Sequence, residues 1–356
     1  MKKLFMWMMI TLFVSCSNEY NDPYHPDESK EAGEIILTVK VSDLDYNSCV
    51  ILYDKSISAI DWGARDSSFT SGRIDGRGET FAMSNISQKK DCQIHYCSYS
   101  EIGEYTVKIQ APGVSYISFF SAGYSGKING LEVKGAEITS LNISRYSLLE
   151  VIDCSSNRLT SLNVSGCTAL KELICPYNEL TSIDISKCIR LQLLNCYGNP
   201  LTSLNVSKHT TIQTIDCGGG QLSSLNVSGC TALCLLDCRK NQLTSLNISG
   251  CTTLKQLYCH YNQLTSLNVS RYTELTTLCC RDNYLTSLNI AECTALNRLD
   301  LCNNRLKTKT LNTIFENLPT AEFYNTIFIA NNPGSEDCDK TIATEKLWRV
   351  ILMESK

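Results

Sequence analysis

"LTSLNVSGCTALKELICPYNE" occupies residues 159–179, and residues 180–200 repeat its plan as "LTSIDISKCIRLQLLNCYGNP". Asn157, Asn178, Asn199, Asn241, Asn262, Asn283 and Asn304 keep the same phase, with Gly220 standing in the one skipped place. Leu149, Leu170, Leu191, Ile212, Leu233, Leu254, Leu275 and Leu296 keep it as well. A unit this short cannot bury its own apolar side. Many copies stacked in a row bury one continuous core. In "LKELICPYN" (residues 170–178) strand alternation sends Leu170, Leu173 and Cys175 inward and Glu172, Ile174 and Pro176 outward. The second half of the unit sends Leu180, Ile183 and Ile185 inward from an opposite wall. The asparagine is placed to bond backbone groups of its own and neighbouring turns, where no regular ladder reaches them.

The pattern L-x-x-L-x-(L/C)-x-x-N-x-L over residues 128–306 resembles the leucine-rich repeats, in the short bacterial form called IRREKO. The resemblance implies a solenoid over residues 126–307, within a fold class that is mainly β.

The chain holds 20 cysteines. Cys154, Cys175, Cys196, Cys217, Cys238, Cys259 and Cys280 form one column, and Leu301 continues it. Cysteine there is a small buried hydrophobe in the place of leucine. Stacked strands bring neighbours to about 4.8 Å. Their side chains run parallel, however, so the Cβ separation of about 3.8 Å that a bridge prefers is not met. A metal needs converging ligands, not a row. Free packed thiols are therefore expected, and no cofactor or metal. A second column runs Cys167, Cys188, His209, Cys230, Cys251, Tyr272, Cys293. Its tolerance of bulky substitutes suggests a less enclosed place.

Lys2 and Lys3 precede an apolar run from Leu4 to Val14, too short to span a bilayer and suited to a signal peptide. It ends in "FVSC", which resembles the lipobox of bacterial lipoproteins, with Phe13 departing from the usual leucine. The resemblance implies cleavage after residue 15 and lipid on Cys16. Residues 16–33 then form a polar tether with Pro23 and Pro26. Its acidic residues resemble the export signals of Bacteroidetes surface lipoproteins, which implies an outer-membrane location facing outward. The membrane is met through the lipid alone. Setting aside Cys16 leaves an odd number of cysteines, so at least one is free or pairs between chains.

Residues 34–125 alternate in short β-branched and aromatic runs, as an antiparallel sandwich would. "IDWG" (residues 60–63) and "YSEIGEYTVKI" (residues 99–109) resemble the PKD-like, immunoglobulin-type domains, although Ala64 and Arg65 replace the usual continuation. Cys92 and Cys97 are close enough in sequence to pair, with Cys49 left over. Spacing leaves the state of these three, of Cys302 and of Cys338 open. Residues 126–144 read as a degenerate first repeat with Ala136 in the asparagine place. Residues 308–356 supply the far lid: helical spacing at Leu311, Ile314, Phe315 and Leu318, a stop at Pro319, then a last strand and a closing piece.

Net charge is −4, which gives no basic field for nucleic acid. The histidines, His25, His95, His209 and His260, sit in no metal-protease pattern, and no nucleophile elbow or phosphate loop appears. Cys259 and His260 are sent to opposite faces by strand alternation. Cys279 beside His260 is the one remaining thiol constellation, with no orienting third group. The sequence therefore points away from catalysis.

Variation collects on the outward strand columns. Arg239, Lys240, Tyr258, His260, Tyr261 and Arg281 are expected on one face of three adjacent coils, with Tyr177 and Tyr197 as a second aromatic pair. Aromatics mixed with arginine are the usual anchors of a binding surface. The expectation is a lipid-anchored envelope protein that binds a protein or a glycan and is not an enzyme. The alternative is a structural envelope spacer without a ligand.

Overall fold

The computed structural model describes residues 138–353 in full, apart from 145 and 148, and gives the strands between 34 and 137 as backbone paths. Cys16, the signal run and the tether lie outside the described residues. Strands of three residues, among them Val151–Asp153, Glu172–Ile174, Leu193–Asn195 and Thr214–Asp216, stack in parallel. Ile152, Leu173, Leu194, Ile215, Leu236, Leu257, Leu278 and Leu299 lie in one register and are fully buried. Each such leucine contributes about 1.5–3 kcal/mol by leaving water. The core is a parallel solenoid of the leucine-rich-repeat kind.

The strands are short because each ends in a side-chain turn. Asp153, Asn195, Asp216 and Asp237 accept, through Oδ1, the N–H two residues on, at 3.0, 3.1, 3.3 and 3.1 Å. Such a bond offers the backbone an alternative to the ladder and turns the corner. On the opposite wall Asn163, Asn205 and Asn226 do the same for Ser165, Ser207 and Ser228.

The asparagine column behaves as expected. Asn262 Nδ2 donates to Cys238 O and Cys259 O, both at 3.0 Å, and its Oδ1 accepts from Leu243 N at 3.0 Å. The first cysteine column is buried throughout, and every cysteine among the described residues, Cys302 and Cys338 included, is a free thiol. The second column corrects an expectation, for its cysteines and His209 are buried as well. Tolerance there comes from a shared hydrogen bond. Cys230 and Cys251 donate to Val206 O and Val227 O at 3.2 and 3.3 Å. His209 Nε2 reaches Ile185 O at 3.1 Å and the Tyr272 hydroxyl donates to Ile248 O at 2.6 Å. All four bonds span 24 residues, so the column selects a donor rather than a volume.

At the far end helix α1 (Thr308–Glu316) buries Leu311, Ile314 and Phe315 over the last coil. Strand Asn325–Phe328 then joins the sheet with Ile327 beside Leu299. Helix α2 (Thr341–Thr344) leads to strand Trp348–Ile351, whose Trp348 is buried and donates Nε1–H to Pro319 O at 2.8 Å.

At the near end strands β1 (Glu34–Val41), β2 (Ser48–Tyr53), β3 (Ala59–Asp61), β4 (Ser68–Arg73), β5 (Gln93–Ser98), β6 (Gly103–Gln110) and β7 (Tyr116–Phe120) are followed by β8 (Ser125–Ile128), β9 (Leu131–Lys134) and β10 (Glu137–Asn142). One set runs β10-β1-β6-β3 and the other β7-β2-β5-β4, each antiparallel. β7 pairs in parallel with Val151–Asp153, and β10 with Ser161–Asn163. Both solenoid walls thus continue into the N-terminal strands. Of the stretch expected to be a degenerate repeat, β10 keeps the repeat register, with Leu141 opposite Leu162, while Ser125–Lys134 form the hairpin β8–β9 instead. The first coil takes its strand from β7, before the hairpin. Register also places Cys49 opposite Cys97.

Candidate ligand-binding face

The outward columns meet at the ends of the short strands. Ser156, Tyr177, Gly198, Gly219, Lys240, Tyr261, Asp282 and Asn303 occupy one column, and all have φ between +52° and +70°. This left-handed conformation suits Gly, Asn or Asp, and a bulky side chain there is an outlier. Tyr177 (φ +55°) and Tyr261 (φ +56°) are such outliers, and they are 50% and 42% exposed. Strained residues of this kind concentrate where a protein binds.

The glycines between them have a purpose that the repeat pattern conceals. A Cβ on Gly198 would meet the Tyr177 ring at 2.9 Å, and one on Gly219 would meet the Tyr197 ring at 3.0 Å. Each tyrosine lies over the glycine of the following coil. Tyr177 and Tyr197 meet edge-on with centroids 5.4 Å apart, and Arg239 Cζ sits 5.4 Å from the Tyr197 centroid. Farther along, Tyr261 lies within 5.9 Å of Lys240 Nζ and 5.3 Å of Arg281 Cζ. The two groups expected separately are therefore joined through Arg239 into one strip. The sequence signal available for the glycines was their place one coil after each tyrosine.

His260 departs from its expected outward place, being only 8% exposed. Its side chain folds into the turn beside Tyr261, with ring centroids 5.6 Å apart. Burial, then the charges of Arg239, Arg281 and Lys240, pushes the imidazole down to about 3. It is neutral near pH 7 and its Nδ1 makes no hydrogen bond. Tyr258 is half-buried, with its hydroxyl 3.4 Å from Gln256 Oε1.

Beneath the strip lie carboxylates. Asp216 and Asp237 are register partners, and Asp237 is fully buried. Burial raises Asp216 to about 6 and Asp237 to about 7. The charge of Asp216 adds to the rise of Asp237, while Arg239 opposes both. Arg239 Nε stands 3.4 Å from Asp237 Oδ2, and Arg281 Nε stands 3.8 Å from both Asp282 and Asp300. Cys279 faces Asp300 Oδ2 at 3.8 Å, and burial pushes its thiol up to about 12. A thiol so placed is held protonated and is a poor nucleophile. Among the described residues no group of three His, Cys, Asp or Glu side chains could hold a metal ion.

Leucine-rich-repeat architecture is thus the class that coil, register and asparagine column define. A known structure agrees on the fold. The functional domain of InlJ from Listeria monocytogenes, described as including a cysteine ladder, is similar at 31% identity over 60% of this chain and 46% of that one, with a TM-score of 0.51. The leucine-rich effector YopM from Yersinia pestis is similar at 22% identity over 52% of this chain and 51% of that one, with a TM-score of 0.43. This chain spans about half the length of each. No protein-family model and no curated protein matches it.

Proposed function

We propose that the protein is a non-catalytic binding protein of the bacterial cell envelope. It is anchored by lipid on Cys16, exposed at the outer-membrane surface, and engages a protein or glycan through the strip from Tyr177 to Arg281. The observation that carries this reading is the pair of exposed tyrosines held at positive φ. Folding alone favours glycine, asparagine or aspartate there, as Gly198, Gly219, Asp282 and Asn303 show. A single αL tyrosine costs on the order of 1 kcal/mol, which function must offset.

Two experiments test it. Intact cells are treated with a protease too large to enter the periplasm; loss of the solenoid epitope is expected, and its survival until the outer membrane is broken would refute surface exposure. The full chain and its Tyr177→Gly/Tyr261→Gly variant are then offered a detergent-solubilised surface fraction of animal cells. Glycine relaxes both backbones, so the variant folds. Equal retention by both proteins removes the strip as the binding face, and no retention by either leaves the spacer reading.

A further inference from the structure

The geometry points to a neutral saccharide chain as the ligand of this face, an inference that rests on the binding role above. Charge on the strip is balanced internally. Arg239 stands against Asp237, and Arg281 against Asp282 and Asp300, while Lys240 adds a cation beside Tyr261 and Asp216 a carboxyl beside Asp237. Neither an anionic nor a cationic partner gains a net field there.

What the strip holds in surplus is unpaired polar atoms. Asp237 Oδ2, His260 Nδ1 and Asp282 Oδ2, from three successive coils, are buried and make no hydrogen bond. Asp237 and His260 are both more than nine-tenths buried. A half-protonated carboxyl and a neutral imidazole nitrogen can each donate or accept, so groups in this state favour a ligand that does both. An anionic ligand brings few donors. The charged donors of lysine or arginine would meet Arg239, Lys240 and Arg281. The backbone donors of a folded protein are already engaged. A saccharide carries uncharged hydroxyls around its ring, and each can donate and accept at once. A hydroxyl taking the place of a guanidinium against Asp237 donates to the carboxylate and accepts from the displaced arginine. The Arg239–Asp237 contact, at 3.4 Å, is longer than a good charge-assisted bond, so little is lost in displacing it.

The tyrosines supply the other half of the recognition. Apolar C–H faces of sugar rings lie against aromatic faces, while the tyrosine hydroxyl stays wet. Tyr177 and Tyr261 are four coils apart, roughly 19 Å at strand spacing. That separation calls for a chain of several sugars rather than a monosaccharide.

The test measures binding of the full chain to immobilised neutral oligosaccharides (glucose-, galactose-, mannose- and N-acetylhexosamine-based), to sulfated and uronate-bearing ones, and to the animal-cell surface proteins. Tyr261→Gly is compared with Tyr284→Gly, which removes an equally exposed ring stacked on Arg305 off the strip. Retention of a neutral oligosaccharide is expected, with affinity falling roughly tenfold or more in Tyr261→Gly, the loss typical of an anchor residue. Tyr284→Gly is expected to leave it within about twofold. Retention of charged oligosaccharides alone, or equal loss in both variants, overturns the saccharide assignment. Capture of a protein that depends on Tyr261, with no saccharide bound, also overturns it but keeps the binding face. No Tyr261-dependent binding of any kind overturns both.

Discussion

Replacing Asn241 by alanine should destabilise the solenoid more than replacing Asn262, although both occupy the same place in the repeat. In an unbroken stretch each carbonyl of the column is served twice. Cys259 O accepts from Asn262 and from Asn283, both at 3.0 Å, and Cys238 O accepts from Asn241 and Asn262. Asn262→Ala therefore leaves both carbonyls with one donor and strands only Leu243 N–H. One orphaned buried N–H costs about 1–3 kcal/mol, and two lost bonds add about 0.5–1.5 each, which gives roughly 2–6 in all. Asn241 has Gly220 one coil before it, and that coil lacks the amide. Cys217 O then takes its amide donor from Asn241 alone, at 3.0 Å. Asn241→Ala strands Cys217 O together with Leu222 N–H, which Asn241 Oδ1 serves at 2.9 Å. A second orphan raises the loss by about 1–2 kcal/mol over Asn262→Ala. Guanidinium melts followed by far-UV circular dichroism read the difference as a shift in midpoint at a common slope. Equal midpoints would refute the shared-donor account. Restoring the repeat is not a remedy, because a Cβ on Gly220 would stand 2.6 Å from Asn199 O.

Three further outcomes are expected. Asp237 has a folded pKa of about 7, above its ordinary value, so its contribution is fully present below about pH 4 and lost as pH rises through about 7; Asp237→Asn should flatten that fall between pH 4.5 and 8 in thermal melts, since Asn195 already makes the same turn bond, and an unchanged pH profile would exclude the buried carboxyl as its source. Maleimide labelling at pH 8 with peptide mapping should spare Cys154, Cys175, Cys196, Cys217, Cys238, Cys259 and Cys280 until guanidinium is added, because burial raises these thiols; native labelling of this column would contradict a packed ladder. His209→Cys should cost less than His209→Ala by about 1 kcal/mol, because cysteine keeps a donor aimed at Ile185 O as its neighbours do for their carbonyls, and equal melting temperatures would show that volume governs the column.

The repeat made the solenoid legible because a period of 21 residues admits few other packings. Leu173, Cys175 and Asn178 already declare which way each unit faces, and helical spacing in residues 308–318 declares the lid. Charge, composition and motif also set the direction of the functional reading. What the sequence hid depends on contacts between coils. Two columns that look alike in polarity differ in the structure: Asp153, Asn195, Asp216 and Asp237 are turn-formers, while Tyr177 and Tyr261 are strained and exposed. His260 looked outward because alternation was carried past the end of a strand that stops at Tyr258, and a turn does not alternate. The first coil could not be read as a 21-residue copy because hairpin β8–β9 interrupts it, so its strand pairs across a gap that no period reveals. Alternation in size among Cys, His and Tyr pointed to a loose second column. Only the fold shows that the cysteines and Tyr272 donate to, and His209 Nε2 meets, the carbonyl 24 residues earlier. Sequence alone determined what repeats, since periodicity is a local property of the chain. Tertiary structure decided what the irregular residues do, since a ring over the next coil's glycine, or a carboxylate under a neighbour's arginine, exists only once the coils are stacked.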